Sequence, residues 1–536
     1  MKSDLRYSNY DSTARFRDAL VLRHAAFTIA ALLVVSLLPG CDSRAPVTSS
    51  VIINAMVYDG SGADGREVAV RFDGDRIVEV GDFAPLEGET VIDAHGLALA
   101  PGFIDTHSHH GDALDRYRHM TAVLSQGVTT IVRGVDGYSV GDDVFGYVPV
   151  AEFNATFEAR PAAVNIASYS PHNSIRYRVL GDDSRREATE AEIAAMADFV
   201  RADMQAGALG LATGLEYEPG IYSTTEELIA IAAVAGKLGG GYSSHIRDED
   251  DRMNEAVDEL LRIGREADLP VHISHIKLAD QLFWNTTDAL LAKLDAAREQ
   301  GIRVSADVYP YDRWAADLAV LFPDRDYTNA ATARFTFERT AAPEDILIVD
   351  YPPNPAFNGL SVAEIARVTE RDVVETLLDL ARAAADFERE NRTTGSSIIA
   401  RSMTDTDIAA LLSWEHTNVC SDGDNDGGHP RAYGAFPRVL ARYVREQNVL
   451  TLPQAIHKMT MLAAANAGIP SRGRIAPGLY ADLVLFDPET IADRATMADS
   501  TALSVGVEKS WVNGLLTFDN GAHTGAYPGR VVRLRD

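Results

Sequence analysis

Hydrophobic and polar positions along this chain fall into two textures. Near the start, Val51–Asn54, Glu67–Arg71 and Arg76–Val80 alternate apolar with polar residues between Gly- and Asp-rich turns (Asp59-Gly60, Asp73-Gly74). A period of two is that of short strands with one buried face. Near the end, Ala481–Phe486 and Ser510–Val512, closed by Asn513-Gly514, read the same way. In between, apolar runs of the fully buried type alternate with amphipathic stretches. Strand candidates are Ile131–Val132, Ala163–Ala167, Gly210–Ala212, Gly241–His245, Val271–His275, Arg303–Asp307, Ile346–Val349, Ile398–Ala400 and Val419–Ser421. Glu187–Met204, Asp251–Ala267 and Thr287–Glu299 carry helical spacing, with Ala, Leu, Ile and Met on one face. Repeated strand–helix units across residues 101–469 predict a (β/α)8 barrel. The candidates exceed the eight strands of such a barrel by one, so one is expected to belong elsewhere. Phe322–Arg392 fits least and is expected to hold an insertion.

The first forty residues have a different character. Lys2, Arg6, Arg15, Arg17 and Arg23 precede an apolar run from Ala25 to Leu38. That run is shorter than the roughly 20 residues a membrane-spanning helix needs and suits a signal peptide. Leu38-Pro39-Gly40-Cys41 is similar to a bacterial lipobox, so cleavage before Cys41 and a lipid on its sulfur are expected. Residues 41–50 then read as a tether (Asp42-Ser-Arg-Ala-Pro-Val-Thr-Ser-Ser50). The chain is expected to be an exported lipoprotein facing the periplasm, touching the membrane only through that lipid. Asp42 favours the inner membrane. No other long apolar run follows, so the body is expected to be soluble.

Charge narrows the partners. Among 536 residues, 49 Lys+Arg face 78 Asp+Glu, a net charge of -29. Such a surface repels a phosphate backbone, which argues against nucleic acid. Two cysteines, Cys41 and Cys420, exclude a disulfide framework and a thiolate-only zinc cluster. Lysine is confined to Lys2, Lys237, Lys277, Lys293, Lys458 and Lys509.

The candidate chemistry sits at predicted strand ends. In Pro101-Gly-Phe-Ile-Asp-Thr-His107-Ser-His109 an apolar strand ends in His-x-His. Residues i and i+2 of a strand share a side, so both imidazoles can converge on one metal ion, and neutral imidazole suits Zn2+. His110 and Asp112 just beyond read as supporting or loop residues. His245 and His275 close two later strands, whereas His272 is out of register with His275 and reads as structural. Asp422 follows the apolar stretch ending Val419-Cys420-Ser421, where a carboxylate can bind metal and take a proton from water. In the next loop, after Gly427-Gly428-His429-Pro430, Arg431 is placed to clamp a carboxylate bidentately.

Pro101–His109 resembles the amidohydrolase superfamily. GVTTIVRG (127–134), TGLEYEPG (213–220), SSHIRDE (243–249), ISHIK (273–277), YPY (309–311), SDG (421–423), HPRAYGAFPR (429–438) and RGRIAPGLYADLVLFDP (472–488) together resemble the D-aminoacylases, the N-acyl-D-amino-acid deacylases, from about Val51 to Leu534. The resemblance implies a metal-dependent (β/α)8 TIM barrel over residues 101–469. It also implies a small β-sandwich or β-barrel domain from both chain ends, residues 51–100 and 470–536. It makes His245 and His275 tight zinc ligands, His107 and His109 a second, weaker pair, and Asp422 the catalytic base and acid. Tyr217, Lys277, Tyr311 and Arg431 are then groups that hold the substrate carboxylate and the oxyanion. The expected reaction is hydrolysis of an N-acyl-D-amino acid to a carboxylate and a free D-amino acid by metal-activated water.

One departure matters. Family members usually carry a cysteine ligand in a GNCG turn after the second strand, and here the turn is Gly134-Val135-Asp136-Gly137. A carboxylate can bridge two metals. One ion would be held by His107, His109, Asp136 and Asp422, the other by Asp136, His245 and His275. A single ion of altered affinity is equally compatible. The stretch Asp312-Arg313-Trp314 also departs from the family pattern. Other amidohydrolases remain open, cyclic-amide or dipeptidase-like. The carboxylated lysine that often bridges hydantoinase metals has only Lys237 as a source before His245, in a helical stretch. A non-catalytic binding protein on the same fold is the remaining alternative. The choice of D over L rests on the resemblance alone.

Overall fold

A computed structural model describes residues 49–139 and 146–536; the leader, Cys41 and the tether up to residue 48 lie outside the described residues. Eight strands make the barrel: Phe103–Asp105, Val128–Arg133, Asn165–Ser168, Gly210–Gly214, Gly241–His245, Val271–Ile273, Val304–Val308 and Thr417–Val419. The first three pair in parallel, as do the last five. Ser170–Pro171, continuing the third strand, pairs with the fourth. On the other side the backbone N–H of Asp422 donates to the carbonyl of His107 at 2.9 Å, joining the last strand to the first. All eight strands are almost wholly buried, which explains their unbroken apolar runs in place of alternation.

Helices cover the barrel where the spacing predicts them. Glu190–Gln205 starts later than the apolar pattern, because Thr189 and Glu192 form a reciprocal capping box. Met253–Ala267 buries Ala256, Val257, Leu260, Leu261 and Ile263 on one face. Thr287–Glu299 matches its predicted span.

Two of the nine candidates, rather than one, lie outside the barrel, and Phe103–Asp105 supplies the remaining barrel strand. Leu347–Asp350 and Ser397–Arg401 join Arg313–Ala316 in a separate antiparallel sheet. That sheet has its own core of Trp314, Leu318, Phe322, Ile348, Leu377 and Ile398. The inserted segment therefore runs from Arg313 to Arg401, wider than 322–392. Its central strand is as apolar as a barrel strand because helices bury one face of it, and periodicity alone does not separate the two cases.

The small β domain draws on both chain ends. Leu483–Phe486 pairs antiparallel with Ala98–Pro101, which in turn lies beside Ser50–Val57 in a nine-stranded sheet. Its core gathers Ile52, Val70, Phe72, Leu99, Leu483 and Trp511. Asp482 anchors this sheet to the first barrel strand: its carbonyl accepts from Gly102 N at 2.8 Å, and its carboxylate pairs with buried Arg472. The His107–His109 segment thus leaves a strand held from both sides.

Candidate metal centre

The first barrel strand delivers His107, fully buried, and His109, partly exposed, with ring centroids 5.5 Å apart. The turn after the second strand delivers Asp136. Gly134 (φ 76°) and Gly137 (φ 74°) flank it, and Asp136 itself lies in the left-handed region at φ 53°. A methyl on Gly134 would stand 2.6 Å from the Tyr169 carbonyl oxygen, and one on Gly137 2.4 Å from Asn173 Oδ1, so the turn needs both glycines. This backbone turns Asp136 inward, where the two oxygens face different partners. Oδ2 is 3.2 Å from His107 Nε2 and 3.3 Å from His109 Nε2. Oδ1 is 3.5 Å from His275 Nε2 and has no hydrogen-bond partner although buried.

Asp422 lies across from Asp136. Its Oδ1 is 3.6 Å from His107 Nε2 and 3.4 Å from His109 Nε2, and its Oδ2 is 2.6 Å from Arg431 Nη1. His245 Nδ1 and His275 Nε2 are 3.1 Å apart. Asp307, at the end of the seventh strand, accepts the backbone N–H of His275 at 2.5 Å and so fixes its left-handed φ of 35°.

These residues fit a metal. Donor atoms of His107, Asp136, His275 and Asp422 lie within 4.8 Å of one another, as do those of His245, Glu249 and His275. Tetrahedral ligands at 2.0–2.2 Å stand about 3.4 Å apart, near the separations found here. Asp136 Oδ1 is a buried carboxylate oxygen that meets no hydrogen bond among the described residues, with only His275 Nε2 near it at 3.5 Å, and a cation would satisfy it.

Two glutamates complete the centre that spacing had not picked out. Glu216 Oε2 is 2.8 Å from His245 Nε2. Glu249 Oε1 is 3.3 Å from His275 Nδ1. The only sequence signal was their place inside TGLEYEPG and SSHIRDE; an acidic residue in a loop is ordinarily solvated.

The four expected substrate residues divide. Tyr217 lines the cleft, its ring 4.5 Å from that of His245. Arg431 also lines it, 4.8 Å over the Tyr309 ring. Lys277 is buried with Nζ 2.7 Å from both oxygens of Glu249, which engage it as a buried ion pair, and 2.7 Å from His275 Nδ1. Tyr311 requires a correction. Its hydroxyl points at Pro430 O (3.4 Å) and Asp493 (3.5 Å), away from the cleft, and Tyr309 stands beside His275 and Arg431 instead. The strand ends at Val308 and Tyr311 N bonds back to Tyr309 O at 3.0 Å, a tight turn that breaks the alternation carrying 309 and 311 to one side. His272, held by Ser305 and Asp307, and His110, held by Ser108 and the Ala432 carbonyl, lie outside the cluster of donors.

Charge in the centre is steeply tuned. Burial pushes His245 down to about 4, which keeps its ring neutral. Burial and the Lys277 ammonium also lower His275, but the carboxylates of Asp422, Asp136 and Glu249 outweigh them and raise it to about 9. Burial would raise Asp422; Arg431 and the surrounding imidazoles hold it well below the usual carboxylate range. A cleft of about 460 Å³ opens over these groups, roofed by Trp314, Ala315, Val320 and Leu321 of the inserted segment. Trp314 belongs to the stretch that departs from the family pattern.

A model of the amidohydrolase family matches residues 90–344 and 395–518, and the gap falls inside the inserted segment. D-aminoacylase of Alcaligenes xylosoxydans xylosoxydans is 34% identical over 90% of this chain and 97% of that enzyme. The same organism's N-acyl-D-aspartate deacylase is 35% identical over 91% of this chain and 95% of its own. The crystal structure of N-acyl-D-glutamate deacylase from Bordetella bronchiseptica, with zinc and a phosphonate mimic of the tetrahedral intermediate, superposes with a TM-score of 0.79 at 32% identity, covering 90% of this chain and 99% of that one. The chain belongs to the amidohydrolase family, within its D-aminoacylase branch.

Proposed function

We infer that this protein hydrolyses the amide bond of N-acyl-D-amino acids to a carboxylate and a free D-amino acid, with zinc as its metal. The observation that carries the reading is the Asp136 carboxylate, whose two oxygens face His107/His109 on one side and His275 on the other, beside Asp422. His107, His109, Asp136 and Asp422 would hold one Zn2+ ion, and Asp136, His245 and His275 would hold a second. When bound, the ions would acidify a water molecule and polarise the scissile carbonyl.

The chain's own groups do the rest. Asp422, held ionised, takes the proton of the attacking water as the oxygen adds to the carbonyl carbon. It returns that proton to the amine nitrogen as the C–N bond breaks. Burial and Asp136 push Tyr217 far above its ordinary value, so its hydroxyl keeps its proton and can donate to the carbonyl oxygen. Arg431 takes the substrate carboxylate, since Glu249 occupies Lys277. The expected substrate is a small N-acyl amino acid.

Turnover of N-acetyl-D-methionine should disappear on chelation and return with Zn2+; turnover indifferent to chelation would overturn the reading. Zinc binding should also be proton-linked. His275 stands at about 9 without metal, and only its neutral ring ligates, so binding below that pH expels a proton. Apparent Zn2+ affinity should therefore rise about tenfold per pH unit between roughly pH 6 and 8. Calorimetry in buffers of different ionisation enthalpy counts the proton, and a count of zero would contradict the assignment.

The leader supports a location. Export, a lipid on Cys41 and a periplasmic face follow from the lipobox-like Leu38–Cys41, with Asp42 favouring the inner membrane. Palmitate labelling in a bacterial host should mark the protein and be lost in Cys41→Ser; equal labelling of both would refute it.

A further inference from the structure

Arg325 lies in the inserted segment, on the chain between its first two strands, yet its side chain reaches the metal centre's frame. It is only 7% exposed. Its Nη1 donates to the carbonyls of Ala319 and Phe322, each at 2.8 Å, which fixes the guanidinium within the segment. Its Nη2 donates to the backbone carbonyl of Glu216, in the loop after the fourth barrel strand. Nε adds a longer contact, 3.8 Å to the Glu218 carboxylate. Glu216 then accepts the Nε2–H of His245 at 2.8 Å, and the opposite ring nitrogen, Nδ1, faces His275 Nε2 at 3.1 Å.

We propose that the inserted segment positions the metal ligand His245 through a relay from Arg325 to the Glu216 backbone, and from the Glu216 carboxylate to the ring. Glu216 is a positioning residue. A carboxylate that accepts one ring N–H fixes the tautomer, turns the other lone pair to the metal and makes it a stronger donor. Arg325 keeps that carboxylate in place by holding its backbone; without it a mostly buried carbonyl loses its donor and the loop its anchor. The segment would thus do more than roof the cleft. The proposal rests on the reading of His245 as a zinc ligand.

The test measures Zn2+ affinity of the full chain by competition with a chromophoric chelator, beside unfolding midpoints and kcat and KM. Loss of an outer partner of a ligating histidine weakens binding about 10–100-fold, and Glu216→Ala should fall in that range. Glu216→Gln, whose amide oxygen accepts the same hydrogen bond, should stay within about threefold of the natural protein. Arg325→Met should weaken binding several-fold, and adding it to Glu216→Ala should weaken binding no further, because both act through one path. The relay is overturned if folded Glu216→Ala binds zinc within about twofold of the natural protein. It is also overturned if the Arg325→Met loss adds in full to that of Glu216→Ala. His245→Ala separates the two readings: if it too leaves affinity unchanged, the ligand assignment has failed, and if it abolishes affinity while Glu216→Ala stays within about twofold of the natural protein, the relay alone has failed.

Discussion

Asp422→Asn is expected to lower kcat by about a thousandfold, within the 10²–10⁴ range that a positioned general base contributes, while fold and zinc content persist. The amide keeps the size and one oxygen of the carboxylate but is a poor proton acceptor. Asp422 is suited to the task by position. Its Oδ1 lies within 3.6 Å of both histidines of the first strand, and its Oδ2 is ion-paired with Arg431. It is not suited by a pKa near neutrality, since Arg431 and the imidazoles hold it ionised. So weak a base suits an acidified water, which the bound metal would supply, and Asp422 then takes its proton. Kinetics and metal analysis on the same preparation check this. A near-natural kcat would remove Asp422 from the reaction.

Asp136→Ala is expected to lower bound zinc by at least one equivalent and kcat/KM by about a hundredfold or more. Among the described residues, Asp136 alone faces both the His107/His109 pair and His275 with its two oxygens. Deleting it leaves the first pair with Asp422 and the second with Glu249, two incomplete sets. Asp136→Cys should behave differently. A thiolate is a soft, strong ligand for zinc, so this variant should hold one ion tightly. Elemental analysis after exhaustive dialysis distinguishes the cases: unchanged stoichiometry in Asp136→Ala would contradict a bridging carboxylate.

The histidines were legible in the sequence because their chemistry coincides with geometry. An apolar strand that ends in His-x-His has one outcome when the strand belongs to a closed barrel, and His245 and His275 end strands of the same barrel. Asp136 was legible as a substitution within a turn whose two glycines leave few conformations. What was not legible arises where local pattern and tertiary contact part. Tyr311 turns away from the cleft, and Tyr309 packs beneath Arg431, because Pro310 and a tight turn end the strand period just before them. Ile346–Val349 and Ile398–Ala400 carry the texture of barrel strands because the insertion has a buried sheet of its own. Glu216 and Glu249 sit in loops, and only the folded chain shows that their carboxylates face imidazoles. Lys277 was expected to meet the substrate, and Glu249, four residues after His245, meets it instead.

This centre is expected to cleave N-acyl-D-amino acids, with Asp136 contributing to both groups of zinc ligands. The most direct measurement assays N-acetyl-D- and N-acetyl-L-amino acids in parallel on one preparation whose metal content is known. The expected result is turnover of D substrates, at least about a hundredfold slower or no turnover of their L counterparts, and close to two zinc ions per chain. Turnover of L substrates alone, or of neither series on zinc-loaded protein, would contradict it.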